Sequence, residues 1–325
     1  MNSTPELQMP SVLTAGTEIA PVCVVETCNG VVRVPDLSIC VPAYHDDPSV
    51  LIRTLAQLAG AGNCEVLIYD DGSNDPVMTA AIEAAVQSYP GPARHLNAMS
   101  NSGRSAARNR LVETATSDWI LFIDADMLPD EPTFLTAYLE QIEANDAPSL
   151  IAGGFSLKQA RPCANQKLHA AQAKRSDCVS ASRRARDPGR FVFTSNIVVH
   201  KRVLDAIGFD EQFTGWGWED VDWGLRVSEA FPILHIDNTA THLGLESDDV
   251  LLRKFGTSGQ NYARLVHNHP AAARRMKLTL ISALVRNWPL LAGASRSVAL
   301  DRKLPLPVRL FALKLYRARM YANYL

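Results

Sequence analysis

The sequence predicts an α/β fold with a mainly parallel central sheet flanked by helices. Short apolar runs typical of buried strands alternate with predicted helices through the first half of the chain. Polar residues follow several of these runs directly, as expected where the strands of an open sheet end at a ligand site. With 325 residues, 47% of them hydrophobic, the chain is long enough for one large domain or two smaller ones.

The first half of the chain supplies the predicted parallel strands. They cover residues 37–42, 64–69 and 119–123, with predicted helices at 48–58, 76–88 and 105–114 and a loop at 97–104. Ahead of them, residues 22–34 are predicted to form two β-rich runs around Asn29-Gly30, a pair that favours a hairpin turn. Residues 1–18 are polar and contain Pro, so we expect little order there.

The alternation becomes less regular after residue 146. Strands are predicted at 149–155 and 191–200, a helix at 159–182, and an apolar segment at 231–236. Residues 182–190 hold four arginines around Asp187-Pro188-Gly189, which indicates a mobile basic loop. This loop is either an ordinary solvated loop or a phosphate clamp.

Composition limits the classes of function. A formal net charge of -2 argues against a general nucleic-acid binder. The six cysteines show no zinc-type CxxC pairing, and Cys40 and Cys64 lie in apolar runs, which favours a reducing cytosol. The N-terminus lacks the basic start and apolar core of a signal peptide, and no apolar run approaches the roughly 20 residues that cross a bilayer. We therefore expect a cytoplasmic protein that is soluble or peripheral to a membrane.

Two carboxylates stand at the end of the third predicted strand, in Asp124-Ala125-Asp126. Residues i and i+2 of an extended chain point the same way, so both could serve one hard divalent cation. A cation held by few carboxylates keeps positions free for the phosphates of a nucleotide. The alternative is a solvated strand end, since Asp-x-Asp is common by chance.

Two further polar segments follow the predicted strands. In Asp70-Asp71-Gly72-Ser73 a carboxylate can accept a hydrogen bond from a base or ribose; the alternative is a polar strand-to-helix turn. In the segment 101–109, Gly103 allows backbone to approach a ligand and Arg104 can stack on a base or pair with phosphate. The alternative there is a capped helix with surface arginines.

The segment 215–222 reads Gly-Trp-Gly-Trp-Glu-Asp-Val-Asp, with three acids in four positions. The first turn of a helix favours negative charge, so one ionised carboxylate could act as a general base there. The two tryptophans suit stacking on a sugar ring, and the alternative is a helix cap with core tryptophans. His242, after the apolar segment 231–236, could complete the metal site, although a lone histidine is usually structural.

Taken in order, these motifs resemble those of family 2 glycosyltransferases with the GT-A fold. The matching segments are Ser38-Ile39-Cys40-Val41-Pro42-Ala43-Tyr44, Asp70-Asp71-Gly72-Ser73, Gly103-Arg104-x-x-x-Arg108-Asn109, Asp124-Ala125-Asp126 and residues 215–220. The resemblance covers residues 37–245, and its motifs are jointly specific although each alone is weak. The segment 215–222 is also similar to the C-terminal half of β-1,4-galactosyltransferases and of bacterial polymerases that make chondroitin-like chains.

The resemblance implies a role for each matching residue. The donor nucleotide sugar, expected to carry UDP, would be bound by Pro42, Ala43, Tyr44, Asp70, Asp71, Gly103, Arg104, Asp124 and Ala125. Mn²⁺ or Mg²⁺ would be bound by Asp126 and His242. The acceptor, a glycan or lipid-linked saccharide, would contact Trp216, Gly217, Trp218 and Asp222, with Glu219 hydrogen-bonded to it and Asp220 as the base.

The sequence departs from the family pattern at two places. His45-Asp46-Asp47 follows the first motif where Asn or Glu is usual, and Trp218 stands where the galactosyltransferase pattern carries glycine. A larger side chain at 218 should narrow a sugar pocket, so the sugar used by these relatives does not predict the sugar used by this protein. The inferred chemistry is one displacement with inversion, assisted by a single base.

These motifs divide the chain into four predicted parts. They are an N-terminal arm at 1–36, a nucleotide-sugar-binding half at 37–146, an acceptor-binding half with the base at 147–270, and a basic helical extension at 271–325. In the extension, an apolar stripe of Leu310, Leu313, Leu315, Tyr316 and Tyr321 edged by Arg and Lys suits a helix at the inner face of an anionic membrane. The alternative is a helical subdomain packed on the catalytic domain.

Two other functions stay open at this point. A sugar- or nucleotide-binding protein that has kept the fold but lost turnover would show the same motifs. A nucleotidyltransferase would need a glycine-rich phosphate loop after the first strand, and Pro42-Ala43-Tyr44-His45 is not one.

Overall fold

The computed structural model describes residues 24–145 and 147–325. Its strands are β1 Val24–Cys28, β2 Leu37–Ala43, β3 Cys64–Asp70, β4 Ala93–Ala98, β5 Trp119–Ile123, β6 Met127–Pro129, β7 Leu150–Ala152, β8 Phe155–Ser156, β9 Asn196–His200, β10 Ile233–His235 and β11 Ala240–His242. Its helices are α1 Ser49–Ala56, α2 Pro76–Gln87, α3 Arg104–Thr114, α4 Phe134–Glu143, α5 Lys167–Ser176, α6 Ala181–Arg184, α7 Lys201–Ala206, α8 Glu219–Ala230, α9 Asp248–Thr257, α10 Gly259–Asn268, α11 Pro270–Arg275, α12 Lys277–Val285, α13 Leu290–Leu300 and α14 Leu306–Tyr321.

The larger sheet has eight strands in the order β1-β4-β3-β2-β5-β9-β7-β10. The four strands β4, β3, β2 and β5 run parallel, so the predicted α/β fold with a mainly parallel sheet and flanking helices is confirmed. β9 pairs antiparallel with β5 and β7, and β1 pairs antiparallel with β4. A smaller sheet in the order β6-β11-β8 lies beyond the end of β5.

The parallel strands are buried along their whole length because helices cover both faces of the sheet. Alternate residues of β2 join different cores: Ile39 packs with Leu51 and Ile82 on one face, and Cys40 packs with Leu111 on the other. The carboxyl ends of β2, β3 and β5 therefore meet at one edge of a rigid sheet, where the polar motifs follow.

The predicted N-terminal hairpin is wrong where it can be compared with the structure. Residues 1–23 lie outside the described residues, and with them the expectation of low order at 1–18. β1 pairs with β4, not with a neighbouring strand, and β4 itself was not predicted. The Asn29 side chain bridges to the segment before β4, since its amide donates to Tyr89 O and Gly91 O.

The predicted basic loop at 182–190 is only partly a loop, because its first residues belong to α6 and one of its arginines does not face solvent. Arg184 is fully buried, and its guanidinium donates to His235 Nδ1 and to the carbonyl oxygens of Gly153 and Ile236. Burial of a cation is tolerated where every donor has a partner. The helix predicted at 159–182 is correspondingly shorter, with α5 and α6 separated by a turn.

The C-terminal extension is helical, as predicted. Its last helix, α14, packs against α5, α9, α12 and α13. The stripe expected to face a membrane is mostly buried in this contact, including Leu310, Leu313 and Tyr321. Arg309 Nη2 lies 2.7 Å from Asp248 Oδ2, both buried, which ties α14 to the start of α9. Among the described residues, no helix combines the length and the apolarity needed to cross a membrane.

Candidate active site

A cavity of about 520 Å³ opens where β5, β6 and α8 converge. It brings together eight of the residues predicted from sequence: Arg104, Asp124, Asp126, Trp216, Gly217, Trp218, Glu219 and Asp220. His242 of β11, the ninth predicted residue, lines the same space. Residues separated by more than a hundred positions thus share one site.

Asp126 and His242 form the candidate metal pair. His242 pairs with Met127 on the small sheet, Asp126 lies in the turn just before β6, and His242 Nε2 is 3.1 Å from Asp126 Oδ2. Burial alone would raise the pKa of Asp126, but the hydrogen bond and charge of His242 outweigh it and hold that pKa below its usual value. The carboxylate is therefore ionised and available to a cation.

The surroundings of this pair fit a divalent ion with few protein ligands. Gly244 lies directly against it, and a Cβ there would overlap Asp126 Oδ2. No group of three His, Cys, Asp or Glu side chains with metal-site geometry occurs among residues 24–145 and 147–325. One carboxylate and one imidazole leave most positions open, which suits an Mg²⁺ or Mn²⁺ that also binds phosphate oxygens.

Asp124 is held by a buried arginine. Arg108 Nη2 donates to Asp124 Oδ1 at 3.1 Å, and Arg108 is only 3% exposed. Its Nε and Nη1 have no hydrogen-bond partner although they are buried. Two unsatisfied donors on a cation at the cavity wall can be satisfied by ligand oxygens.

Asp220 lies in the first turn of α8. Trp218 takes the left-handed conformation (φ 79°) at the N-cap, which starts the helix sharply after the flexible backbone of Gly217. Thr194 donates to the Asp220 carboxylate through Oγ1 at 2.7 Å and through its backbone N–H at 3.2 Å. The base predicted from sequence is thus held by two hydrogen bonds and a helix N-terminus.

The charge state of Asp220 suits a proton acceptor. Burial raises the pKa of Asp220 to about 6; Arg108 opposes this rise and Glu219 adds to it. At neutral pH the group is mostly ionised, yet it is basic enough to receive a proton in the transition state.

Glu219 and the tryptophans form the neighbouring wall. Glu219 Oε1 lies 3.5 Å from Arg104 Nη1, whereas Glu219 Oε2 is buried without a partner. The Trp218 ring packs on Tyr262 with centroids 4.6 Å apart, and its Nε1 donates to Tyr321 Oη at 3.0 Å. Trp216 packs on Phe255 at 5.6 Å.

Asp222 does not join this wall. Its side chain is buried, and its carboxylate accepts from Arg226 Nε, Asn268 Nδ2 and His269 Nε2. The expectation that Asp222 contacts the acceptor is therefore not met, because helix spacing turns it to the far side of α8.

The remaining predicted donor residues lie at the same sheet edge but outside the cavity lining. They are Pro42, Ala43, Tyr44, Asp70, Asp71, Gly103 and Ala125. The Asp71 carboxylate accepts from the Asn101 amide, from the N–H and hydroxyl of Ser102, and from the Gly103 N–H. Its contacts are thus with the loop that precedes α3, and a direct contact with uridine stays a prediction.

Several cavity residues were not predicted from the sequence. They are Asp46, His169, Asp177, Arg190, Lys254 and Arg317, which come from separate loops and helices. Asp46 had a local signal, since it follows the first motif at the end of β2, and Arg190 belongs to the basic segment 182–190, for which a phosphate clamp was one alternative. Burial lowers the pKa of His169 to about 4, and its Nδ1 accepts from the Glu246 N–H at 2.8 Å, so this imidazole is neutral.

Comparison of the sequence with known proteins identifies the family to which the chain is similar. Residues 38–208 match glycosyl transferase family 2. Hyaluronan synthase of Pasteurella multocida is 27% identical over 226 residues, covering 59% of this chain and 22% of that protein. Across three curated relatives, the match to this chain covers only 22% to 40% of the relative's own length.

Solved structures agree in fold. The mannosyltransferase PcManGT from Pyrobaculum calidifontis, in complex with GDP-Man and Mn²⁺, has a TM-score of 0.56 at 14% identity, covering 93% of this chain and 89% of that one. S. aureus TarS in complex with UDP-GlcNAc has a TM-score of 0.50 at 15% identity, covering 89% and 90%. These likenesses show the GT-A fold.

The family match ends before the Trp-rich segment, so the similarity of residues 215–222 to β-1,4-galactosyltransferases and chondroitin-type polymerases stays a prediction. The match does include β2, β3 and β5, with Asp124 and Asp126 at the end of β5. It covers more than half of the chain, and the parallel sheet agrees with it. The chain belongs to glycosyl transferase family 2.

Proposed function

We propose that this chain is an inverting, metal-dependent hexosyltransferase. It moves a sugar from a nucleoside diphosphate sugar, a UDP-hexose or UDP-N-acetylhexosamine, to a hydroxyl of a glycan or lipid-linked saccharide. The observation that carries this proposal is that Asp220 and the Asp126–His242 pair face one cavity. A base for the incoming alcohol and a cation site for the leaving group are the two requirements of such a transfer.

In this proposal Asp220 receives the proton of the acceptor hydroxyl. The acceptor oxygen bonds to the anomeric carbon while the bond from that carbon to the donor phosphate oxygen breaks, and the nucleoside diphosphate leaves with the electron pair. Thr194 keeps the Asp220 carboxylate oriented through both its hydroxyl and its N–H. One displacement with one base gives inversion at the anomeric carbon.

Asp126 and His242 would hold Mn²⁺ or Mg²⁺, which when bound offsets the charge of the departing diphosphate. Arg104 and Arg108 line the same cavity, and their positive charges suit donor oxygens. Trp216 and Trp218 line the cavity and give the acceptor ring apolar surface to contact, and Glu219 Oε2 can accept from one of its hydroxyls.

The test begins with slow hydrolysis of a panel of nucleotide sugars, because hydrolysis needs no knowledge of the acceptor. We expect Mn²⁺-dependent release of UDP from one donor, and loss of that release in Asp220→Asn with UDP binding retained. Asp205→Asn, exposed on α7, is the matched control and should keep full activity. UDP binding without release in wild type would instead indicate a binding protein, and pyrophosphate release from a nucleoside triphosphate would indicate a nucleotidyltransferase.

Peripheral contact with the inner face of a membrane belongs to the same proposal, through α12 instead of the buried stripe on α14. Leu280, Leu284 and Trp288 follow i, i+4, i+8 spacing along α12 and the turn after it, and Trp288 and Leu290 are 62% and 86% exposed. Arg274, Arg275, Lys277 and Arg286 are exposed nearby. An apolar ridge flanked by cations suits an anionic lipid surface.

Vesicle sedimentation tests this contact. Wild type should co-sediment with vesicles containing phosphatidylglycerol and much less with pure phosphatidylcholine, and Leu284→Gln with Trp288→Gln should lose the anionic binding. Val77→Gln, equally exposed but on α2, is the control. Equal sedimentation of the double variant would remove this surface from the proposal.

A further inference from the structure

Helix α14 places one arginine in the cavity. The Arg317 guanidinium carbon lies 4.4 Å from the centroid of the Phe255 ring, 4.9 Å from that of Trp218 and 5.3 Å from that of Tyr321. Its Nε donates to Tyr321 Oη at 3.2 Å. The side chain is half-buried and lines the cavity, so its two Nη groups are the part available to a ligand.

Arg317 differs from the other cavity cations in its partners. Arg104 pairs with Glu219, Arg108 with Asp124, and Lys254 with Glu246. Within the described part of the chain, Arg317 makes no ion pair. Asp177 lines the same cavity without an ion pair to Arg317; burial raises the pKa of Asp177, and the charge of Arg317 opposes that rise.

The aromatic rings fix this guanidinium in advance. Stacking on three rings compensates part of the cation's lost hydration and limits the rotamers that a long side chain would otherwise sample. A cation that is oriented but unpaired binds an anion with little further loss of entropy. Such an arrangement favours a carboxylate or phosphate over a neutral hydroxyl.

The position of Arg317 assigns the anion to the acceptor. One of the rings under its guanidinium is Trp218, which directly precedes Glu219 and the proposed base Asp220. The residues that suit the leaving diphosphate come from other elements, since His242 is on β11 and Asp126 lies in the turn before β6. This step rests on the proposed function, because that function defines which side is the acceptor side.

We propose that Arg317 binds an anionic group, a carboxylate or a phosphate, carried by the acceptor saccharide. The substrate class is then an acidic or phosphorylated glycan, and the C-terminal extension supplies the residue that selects it. The Nη1 and Nη2 donors would form the paired hydrogen bonds that a guanidinium makes with such groups.

Matched sugars test this assignment by equilibrium binding to the full chain with saturating UDP and Mn²⁺. The probes are methyl glucoside against methyl glucuronide, and glucose against glucose 6-phosphate. We expect at least one anionic probe to bind about tenfold or more tightly than its neutral partner, as the loss of a charge-assisted hydrogen bond predicts. Arg317→Gln should abolish the preference, and Arg317→Lys should retain part of it.

Lys314→Gln is the control, since it removes one positive charge from the same helix at an exposed position outside the cavity. It should leave the preference unchanged. Equal binding of neutral and anionic probes by wild type would overturn the proposal. So would an Arg317→Gln variant that weakens UDP binding while keeping the preference, because the anion would then be the donor diphosphate. Absence of UDP binding by wild type would refute the proposed function instead, whereas the comparison of sugars without UDP would still test Arg317.

Discussion

The hydrogen bond from Thr194 to Asp220 allows a direct test of the proposed base. Thr194 is fully buried behind Asp220 and does not line the cavity. Thr194→Val keeps the branched shape and removes only the Oγ1 donor at 2.7 Å, while the backbone N–H remains. A hydrogen bond to a charged group contributes about 1.5–3 kcal/mol, and one pKa unit corresponds to about 1.4 kcal/mol.

Because this bond stabilises the ionised form, its loss should raise the pKa of Asp220 from about 6 to roughly 7–8. A base acts in its ionised form, so activity is present above its pKa and lost below it. At pH 7 the ionised fraction would fall from about 90% to between about 10% and 50%, a loss of about 2- to 10-fold in rate. At pH 9 the variant should approach wild type.

The assay is the initial rate of UDP release from pH 5 to pH 9, analysed as kcat/KM, which reports the free enzyme. Thr136→Val, half-buried on α4 and outside the cavity, is the matched control and should keep the wild-type profile. If folded Thr194→Val kept an acid limb at the wild-type position, the assignment of that limb to Asp220 would be refuted.

Three further predictions concern the metal pair and the anchor of α14. His242→Ala should raise the Mn²⁺ concentration needed for half-maximal thermal stabilisation at least about tenfold, because only one protein ligand remains; an unchanged titration would refute the metal pair. Gly244→Ala should weaken Mn²⁺ binding in the same titration while the protein stays folded, because the new Cβ overlaps Asp126 Oδ2. An unchanged affinity for Mn²⁺ would show that the backbone at 244 shifts without disturbing Asp126. Arg309→Met should lower the free energy of unfolding in urea by about 3–5 kcal/mol, since it leaves Asp248 buried with a weaker partner; a loss below 1 kcal/mol would contradict the anchor.

Matched variants separate these effects from general damage. His45→Ala tests a histidine outside the cavity lining, and Gly293→Ala adds a methyl group to α13 where no atom lies within 4 Å. Arg296→Met removes an exposed ion pair with Asp249 and should cost less than about 1 kcal/mol.

The parts of the fold that were predicted have strong local signals. β2, β3 and β5 are short apolar runs. Because a strand buried on both faces is apolar along its length, such a run predicts the position of the strand directly. Asn29-Gly30 has an equally strong local signal, but the hairpin it predicts is wrong. The Asn29 side-chain amide instead donates to backbone carbonyls about 60 residues away. Pairing of β1 with β4 depends on such distant contacts.

The candidate site divides in the same way. Asp126 follows a buried strand and Asp220 lies in the first turn of a helix, and both positions can be predicted from the local sequence pattern. The burial of Arg184 was not predicted because it depends on the carbonyl groups of Val179, Gly153 and Ile236, which come from three other segments. Arg317 carried no signal at all, since a helical arginine in a basic tail is ordinarily solvated and only the tertiary packing brings it to Trp218.

Tyr321 Oη joins three side chains, since it meets Trp218 Nε1, the Ser258 hydroxyl and Arg317 Nε. One phenol thereby links the last helix to the wall beside Glu219. Residues 271–325 are for this reason a poor unit for exchange between relatives. A chimera that carries another protein's final helices would also need matching residues at positions 218 and 258. If Arg317 binds the acceptor as proposed, mutations in these helices would change which substrates are accepted.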